Sequence, residues 1–468
     1  QPYDDYPLKE NKLLLGFASE MKQLTDFNFD KIQQIKPGTY TTIRYQYINK
    51  NQYDNRQVFL IRKFDEFEKP YFKLPTLRMN YLERTKNDIY KMMLRIGHSF
   101  FEAVKKRVWN TDRPIACLLS GGLDSSLVCA VVNYYLKLKG DKHRLETYSI
   151  GLDGSVDLQY ARKVADWINS NHTEIKVQET EFLDAIENVI YNIESYDTTT
   201  VRASVGNFLV SKYISEHSEA KVIFNGDGAD ELMGGYLYFH KAPNAVEFDM
   251  ECKRLLENIH FFDVLRSDRS ISSNGLEART PFLDKNFVCE YLMLPPDIRM
   301  IKKGEMEKQF IREAVSLYWR DVLKMDKSIL PNEVLWRTKE AFSDGVSNKE
   351  KSWFQIIQEW VKKKEYLEFE NFDGLYNEPT TLEQKYYRFV FNKFFNTKNS
   401  DNDYANLIPY FWMPKWVNAT DASARTLDVY KEKFKDEDGG HDHHDHHGDH
   451  KDEHDVPHNE ASTLDGVV

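Results

Sequence analysis

The residues best suited to chemistry lie in one short run, Leu118-Leu119-Ser120-Gly121-Gly122-Leu123-Asp124-Ser125-Ser126. Adjacent glycines let a backbone come close to a ligand. Ser120, Ser125 and Ser126 add hydroxyls to the free N–H groups of a following helical turn, and together these donors form a cradle for phosphate. A Walker-type loop would end in Gly-Lys-Ser/Thr, with the lysine on the terminal phosphates. Here Leu123 and Asp124 follow the glycines, and an acid in that place suits a magnesium-bridged pyrophosphate better than a transferring γ-phosphoryl group. The plain alternative is a serine- and glycine-rich turn with no ligand. A second candidate is Asn225-Gly226-Asp227-Gly228-Ala229-Asp230-Glu231, with three acids in five residues. Helix capping accounts for Asp230 or Glu231 but not for Asp227 between two glycines.

These runs need elements to bring them together. Ile115 to Leu119 reads as a buried strand and the chain from the loop to about Lys139 as a helix. The alternation continues with strands at Leu145–Gly151, Thr173–Val177 and Lys221–Phe224 and helices at Asp157–Ile168, Phe182–Ile193 and Arg202–Glu216. Such alternation predicts a parallel sheet covered on both faces, an α/β fold, with ligands beyond the carboxyl ends of the strands. The ends at Leu118–Ser120, Ile150-Gly151 and Asn225-Gly226 are therefore expected to share one crevice. Apolar spacing between Tyr81 and Trp109 predicts a helix leading into the first strand, and a helix is expected to start near Asp230. Tyr386, Tyr387, Phe389, Phe391 and Phe394 stand at helical spacing and read as core rather than a stacking surface. His240, alone after aromatics, reads as a packed residue and not as an acid or base.

Composition narrows the function classes. The net charge is −11, but the segment from Asp436 to Val468 alone carries −10, so the rest is nearly neutral and offers no basic track for nucleic acid. No apolar run reaches membrane-spanning length, and four unclustered cysteines, Cys117, Cys129, Cys252 and Cys289, read as reduced core thiols. A cytoplasmic protein without membrane or nucleic-acid partners is the expectation. The segment from Glu437 to Glu460, with its His441–His447 run, is too polar to bury a core and reads as a solvated tail that could hold metal loosely.

Longer runs carry a resemblance. Gly226–Glu231, Gly235–Pro243 with its Tyr238-Phe239-His240-Lys241 centre, Gly275–Asp284, Trp336–Gly345 and Trp412–Trp416 with Asn418–Asp421 resemble the glutamine-dependent asparagine synthetases, of eukaryotic-like type, over about Leu13 to Leu427. The resemblance implies an adenine nucleotide alpha hydrolase-like synthetase domain at 81–428 with a helical C-terminal part. It implies a remnant of a glutaminase domain at 1–45, a linker at 46–80 and a disordered tail at 429–468. Ala18–Lys22 and Pro37–Tyr40 match the end of that glutaminase domain, whose N-terminal cysteine nucleophile does not occur here; the chain is read as partial or truncated.

By the same resemblance, Leu118, Ile150, Asn225 and Gly226 hold adenosine. Ser120, Gly121, Gly122, Asp124, Ser125 and Ser126 hold pyrophosphate. Asp124 and Asp230 bind Mg2+, Lys339 neutralises the departing phosphates, and Thr199 and Arg202 sit near the acid substrate and reacting phosphate. Asp227 stands where many relatives have glutamate, one methylene shorter in reach. The implied reaction is amidation of L-aspartate through an acyl adenylate, with ATP as co-substrate, ammonia or glutamine as nitrogen source, and a possible homodimer. Rival readings are another adenylating amidotransferase, including a β-lactam-forming one, a tRNA-modifying enzyme, and a metal-buffering protein that works through its His-rich tail. Removing the segment after Lys433 separates the last from the rest: ATP-dependent activity is expected to survive, and its disappearance together with metal binding would favour the buffer.

Overall fold

The computed structural model describes residues 16–27, 29, 32–50, 57–75, 84–302, 304–338, 353–364, 370–395, 404–409 and 413–418, with backbone alone at 44–50, 57–67 and 354. Its centre is a parallel sheet of β3 (Ile115–Leu118), β4 (Glu146–Gly151), β5 (Asn171–Lys176), β6 (Val222–Phe224) and β7 (Glu277–Arg279) in the order β5-β4-β3-β6-β7. A separate antiparallel pair, β1 (Thr39–Lys50) and β2 (Gln57–Pro70), precedes it. The stretch 46–80, expected above to be a linker, thus includes all of β2 and the end of β1. Its many charges hid the alternation because a two-stranded ribbon need bury little on either side.

The strands are short because both of their faces are covered. In register, Cys117 stands beside Phe224 and Ala116 beside Ile223. Successive side chains point to opposite faces. Cys117, Val222 and Phe224 join the cluster built by α1 (Lys86–Trp109), α2 (Leu123–Lys139) and α3 (Val156–Ile168). Ala116, Tyr148, Ile150 and Ile223 join the opposite cluster, with Val210 and Ile214 of α5 (Thr198–His217) and Ile271. The near-continuous apolar runs of β3 and β6 are the sequence signature of this double burial.

Helix starts follow their caps rather than the apolar pattern. Thr85 caps α1 in a capping box with Asp88. Asp197 caps α5 through the Thr200 N–H at 2.9 Å. Helix α5 therefore begins four residues before Arg202 and includes Thr199. Between β6 and β7 lie α6 (Ala229–Met233), α7 (Ala245–Asn258) and α8 (Asp263–Ser272). Then come α9 (Lys285–Leu292), α10 (Pro296–Arg299), α11 (Gln309–Leu317), α12 (Asn332–Leu335), α13 (Trp353–Val361) and α14 (Leu382–Phe395).

A further core lies off the sheet, where α13 and α14 pack on α5 and α4 (Glu179–Ile193). Tyr386, Tyr387 and Phe391 are buried there and Phe389 packs against them, whereas Phe394 is exposed. Arg202 crosses this interface. Its guanidinium donates to Glu383 from Nε at 2.7 Å and from Nη2 at 2.5 Å, and the Tyr387 hydroxyl donates to the same carboxylate at 2.8 Å. Both charges are buried. Taking away one partner strands the other charge, so Glu383→Ala is expected to cost about 3 to 5 kcal/mol in urea unfolding. A loss under about 1 kcal/mol would mean the pair behaves like a surface ion pair.

Candidate active site

Strand β3 is central, and the chain leaves it to one side for β4 and β5 and returns on the other for β6 and β7. The carboxyl ends of β3 and β6 therefore flank a topological switch point, where open parallel sheets form a crevice. The crevice is lined by Leu118, Ser120, Gly122 to Ser125, Asn225 to Asp227 and Asp230. The two strand ends touch. A Cβ on Gly226 would lie 2.7 Å from the Ser125 nitrogen and 2.8 Å from the Asp124 carbonyl carbon.

The loop after β3 has the cradle geometry its residues suggest. Gly121 has φ +76, and a Cβ there would meet the Ala161 nitrogen at 2.5 Å, so only glycine lets the loop lie this close to α3. Gly122 sits at the N-cap of α2 without a side-chain cap, which leaves the first N–H groups of the helix to a ligand. Ser125 Oγ braces the turn, accepting from the Ser120 N–H at 3.2 Å and lying 2.9 Å from Ser120 Oγ. Ser126 Oγ is buried and has no hydrogen-bond partner among the described residues.

Charged groups crowd the wall opposite. Lys308 Nζ lies 2.6 Å from Asp124 Oδ2 and 2.5 Å from Asp230 Oδ1. Arg266 pairs with Asp263 and reaches Asp227 at 3.3 Å. Burial, opposed by the nearby Arg266 charge, pushes the Asp227 carboxyl above its usual range. Glu231 is pushed well up, by burial first and then by Asp263 and Asp230, and accepts a short hydrogen bond from Tyr236. Arg337 donates to the Gly121 carbonyl at 3.1 Å and to Asp157 at 2.8 Å, and lies 4.0 Å from the Tyr160 ring centroid. Arg312, itself buried, donates to the carbonyls of Leu335 and Arg337 and so fixes the chain that presents Arg337.

Most of the residues picked from sequence meet here. Leu118, Ser120, Gly122, Asp124, Ser125, Thr199, Asn225, Gly226, Asp227 and Asp230 line one crevice, with Gly121 in its floor. Ile150 is buried in the sheet beneath and is not among the lining residues. Arg202 is not among the lining residues, and its guanidinium donates to Glu383. Lys339 lies outside the described residues, two positions beyond Arg337. Sequence reading missed Asp263, Arg266, Glu307, Lys308, Arg312 and Arg337. Asp263 and Arg266 look like an ordinary i,i+3 surface pair. Lys308 is one charge among Lys302, Lys303, Glu305 and Glu307, and only Arg337 stood inside a motif already noticed.

The donor set fits Mg2+. Asp124 Oδ1 is buried and accepts no hydrogen bond from the described residues, and the other oxygen of that carboxylate faces the same ammonium as Asp230. No group of three or more acidic, histidine or cysteine ligands forms among the described residues. Two carboxylates suit an ion that takes its other ligands from phosphate and water. Among the described residues no helix is long and apolar enough to cross a membrane.

Comparison with known proteins gives a family. The asparagine synthase family model matches residues 95–251 and 243–399. An asparagine synthetase (glutamine-hydrolyzing) of Homo sapiens is 41% identical over 444 residues, covering 90% of this chain and 72% of the relative. The one of Gallus gallus is 41% identical over 431 residues with the same coverage, 90% and 72%. Among solved structures, a glutamine-dependent NAD+ synthetase from Acinetobacter baumannii has 13% identity and a TM-score of 0.30, covering 76% of this chain and 54% of that one. An NH3-dependent NAD synthetase from Campylobacter jejuni has 17% identity and a TM-score of 0.23, covering 50% and 97%. With its two glycine-bearing strand ends in contact and its sequence aligned over nine-tenths of its length, this chain belongs to the asparagine synthetase family of ligases.

Proposed function

We propose that the crevice activates L-aspartate with ATP. The β-carboxylate attacks the α-phosphorus, pyrophosphate leaves, and the resulting β-aspartyl-AMP accepts ammonia to give L-asparagine and AMP. The observation that carries the reading is the meeting of the Ser120–Ser126 cradle with the Asn225-Gly226 strand end at the switch point of the sheet.

Ammonia does not displace a carboxylate oxygen at neutral pH, so the carboxylate must first acquire a leaving group. The protein's share is to hold nucleophile and phosphorus in line and to match the charge that appears on pyrophosphate. Leu118, Asn225 and Gly226 take the adenosine side, with Ile150 supporting them from within the sheet. Ser120, Gly121, Gly122, Ser125 and Ser126 offer N–H and hydroxyl donors to the phosphates, and Lys339 adds a positive charge. Asp124 and Asp230 would hold Mg2+, which when bound neutralises phosphate charge. Thr199, on the first turn of α5, would serve the amino acid, and Arg202 would steady that helix through Glu383. Asp227, held by Arg266, is a candidate for receiving a proton from the attacking amine, and its raised proton affinity suits that task.

A tRNA-modifying role is disfavoured by Cys117, whose thiol is buried beside Cys129 and pushed well above the ordinary range, which makes it a poor nucleophile.

The deciding assay is AMP formation from ATP with aspartate and ammonium, run against other short carboxylic acids; turnover with a different acid and none with aspartate would move the chain to another adenylating amidotransferase. Asp124→Ala and Lys339→Ala are each expected to lower aspartate-dependent pyrophosphate release by roughly 100- to 1000-fold, the usual effect of removing one charge-stabilising group. Near-normal release from either variant would take that residue out of the mechanism.

A further inference from the structure

We propose that Lys308 holds the place of a divalent cation between Asp124 and Asp230 until nucleotide binds, so that these carboxylates take up metal together with ATP and reject free metal. The inference rests on the reading of the crevice as an ATP site.

The geometry is that of a built ion pair rather than a passing contact. The Lys308 side chain is 2% exposed, and its ammonium contacts both carboxylates at 2.6 and 2.5 Å. Its backbone is left-handed, with φ +59 at the start of α11, a conformation that costs a non-glycine residue about 1 to 2 kcal/mol. Such strain persists where the surroundings hold it in place, commonly at functional sites. Room has been made for the side chain: a Cβ on Gly235 would lie 1.9 Å from Lys308 Cε and 2.1 Å from Asp230 Oδ1. The cradle is also incompletely filled among the described residues, where Asp124 Oδ1 is buried and accepts no hydrogen bond. One ammonium occupies part of a space whose ligands can serve an ion of higher charge.

Electrostatics turns this into a coupling. With Lys308 in place, the two carboxylates keep a residual charge of −1, and Asp227, Asp263 and Glu307 line the same crevice. A free divalent ion could bind both carboxylates only by driving a buried ammonium away from its counter-ions. The neighbouring anions already have partners: Asp227 and Asp263 face Arg266, and Glu307 faces Arg312 and His240. Stranding a buried cation is costly. A triphosphate supplies the missing anion, so the lysine can leave the carboxylates without losing a partner. Linkage then requires reciprocity: nucleotide raises metal affinity by the same factor as metal raises nucleotide affinity. Asp124 is thus shared between a resting partner and a working one.

The test uses Mn2+ as the probe, followed by electron paramagnetic resonance, on the full 468-residue chain. Wild type is expected to bind Mn2+ weakly without nucleotide and at least about tenfold more tightly with a non-hydrolysable ATP analogue, after allowance for the Mn2+ held by the analogue itself. Lys308→Met is expected to bind Mn2+ without nucleotide at least about tenfold more tightly than wild type, and adding Asp124→Asn should remove the gain. The proposal is overturned if Lys308→Met, folded by thermal melting, gains no Mn2+ affinity. It is equally overturned if wild type binds Mn2+ as tightly without nucleotide as with it, a result that needs no variant to fold. Aspartate-dependent AMP formation separates the two readings. Its absence alongside the expected Mn2+ pattern would sink the proposed reaction alone, and its presence without that pattern would sink the lysine's role alone.

Discussion

The constraint on which the site depends is a contact with no spare room. Gly226, at the end of β6, lies against the backbone of Asp124 and Ser125, at the start of α2, closely enough that a single added carbon would collide at 2.7 Å. Strands β3 and β6 pair in parallel with Cys117 beside Phe224, so their ends arrive at the same height. The turn after β3 then has one way to go, over Gly121 and against α3, and it presents its N–H groups to the crevice rather than to the sheet. Acids from the second strand end are delivered to the same place by the same pairing. Register in the sheet therefore sets the geometry of the site.

A second requirement is charge balance in a confined space. Among the described residues, six carboxylates line the crevice, Asp124, Asp157, Asp227, Asp230, Asp263 and Glu307, with four cations among them, Arg266, Lys308, Arg312 and Arg337. Burying so many acids is tolerable only because each is placed beside a cation or hydrogen-bond donor. The cations differ in kind. Arginine forks tie Gly121, Leu335 and Arg337 carbonyls into a fixed frame, which suits planar groups with several donors. Lys308 is a point charge on a flexible stem, the type of side chain that can change partners.

The parts of the fold and site visible in the sequence were those set by local rules. Strands buried on both faces appear as short apolar runs, and the Ser120–Ser126 turn announces itself because glycine and serine in that density have few other uses. Helix starts were misplaced where a cap decided them: the Asp197 cap moved the start of α5 four residues upstream of Arg202. Strand β7 escaped notice because three residues with a charge at each end look like loop. The cations of the site were hidden for a different reason. Nothing local distinguishes Lys308 from neighbouring surface lysines, and Arg266 three residues after Asp263 looks like a helix-surface pair. Their role comes from long-range packing, which a single sequence does not spell out. Arg202 shows the converse, since its family motif pointed to the substrate while its side chain is held by Glu383, a residue 181 positions later.

The Arg337 hydrogen bond to the Gly121 carbonyl joins residues 216 positions apart. During synthesis from the N-terminus, the cradle emerges from the ribosome long before the arginine that braces it, at roughly 5 to 20 residues per second. That interval is on the order of ten to forty seconds, and strands β4 to β7 are all made within it. Loops closed over such distances carry an entropic penalty that must be met before their contacts repay it. The order of the chain thus makes the crevice one of the last places to set.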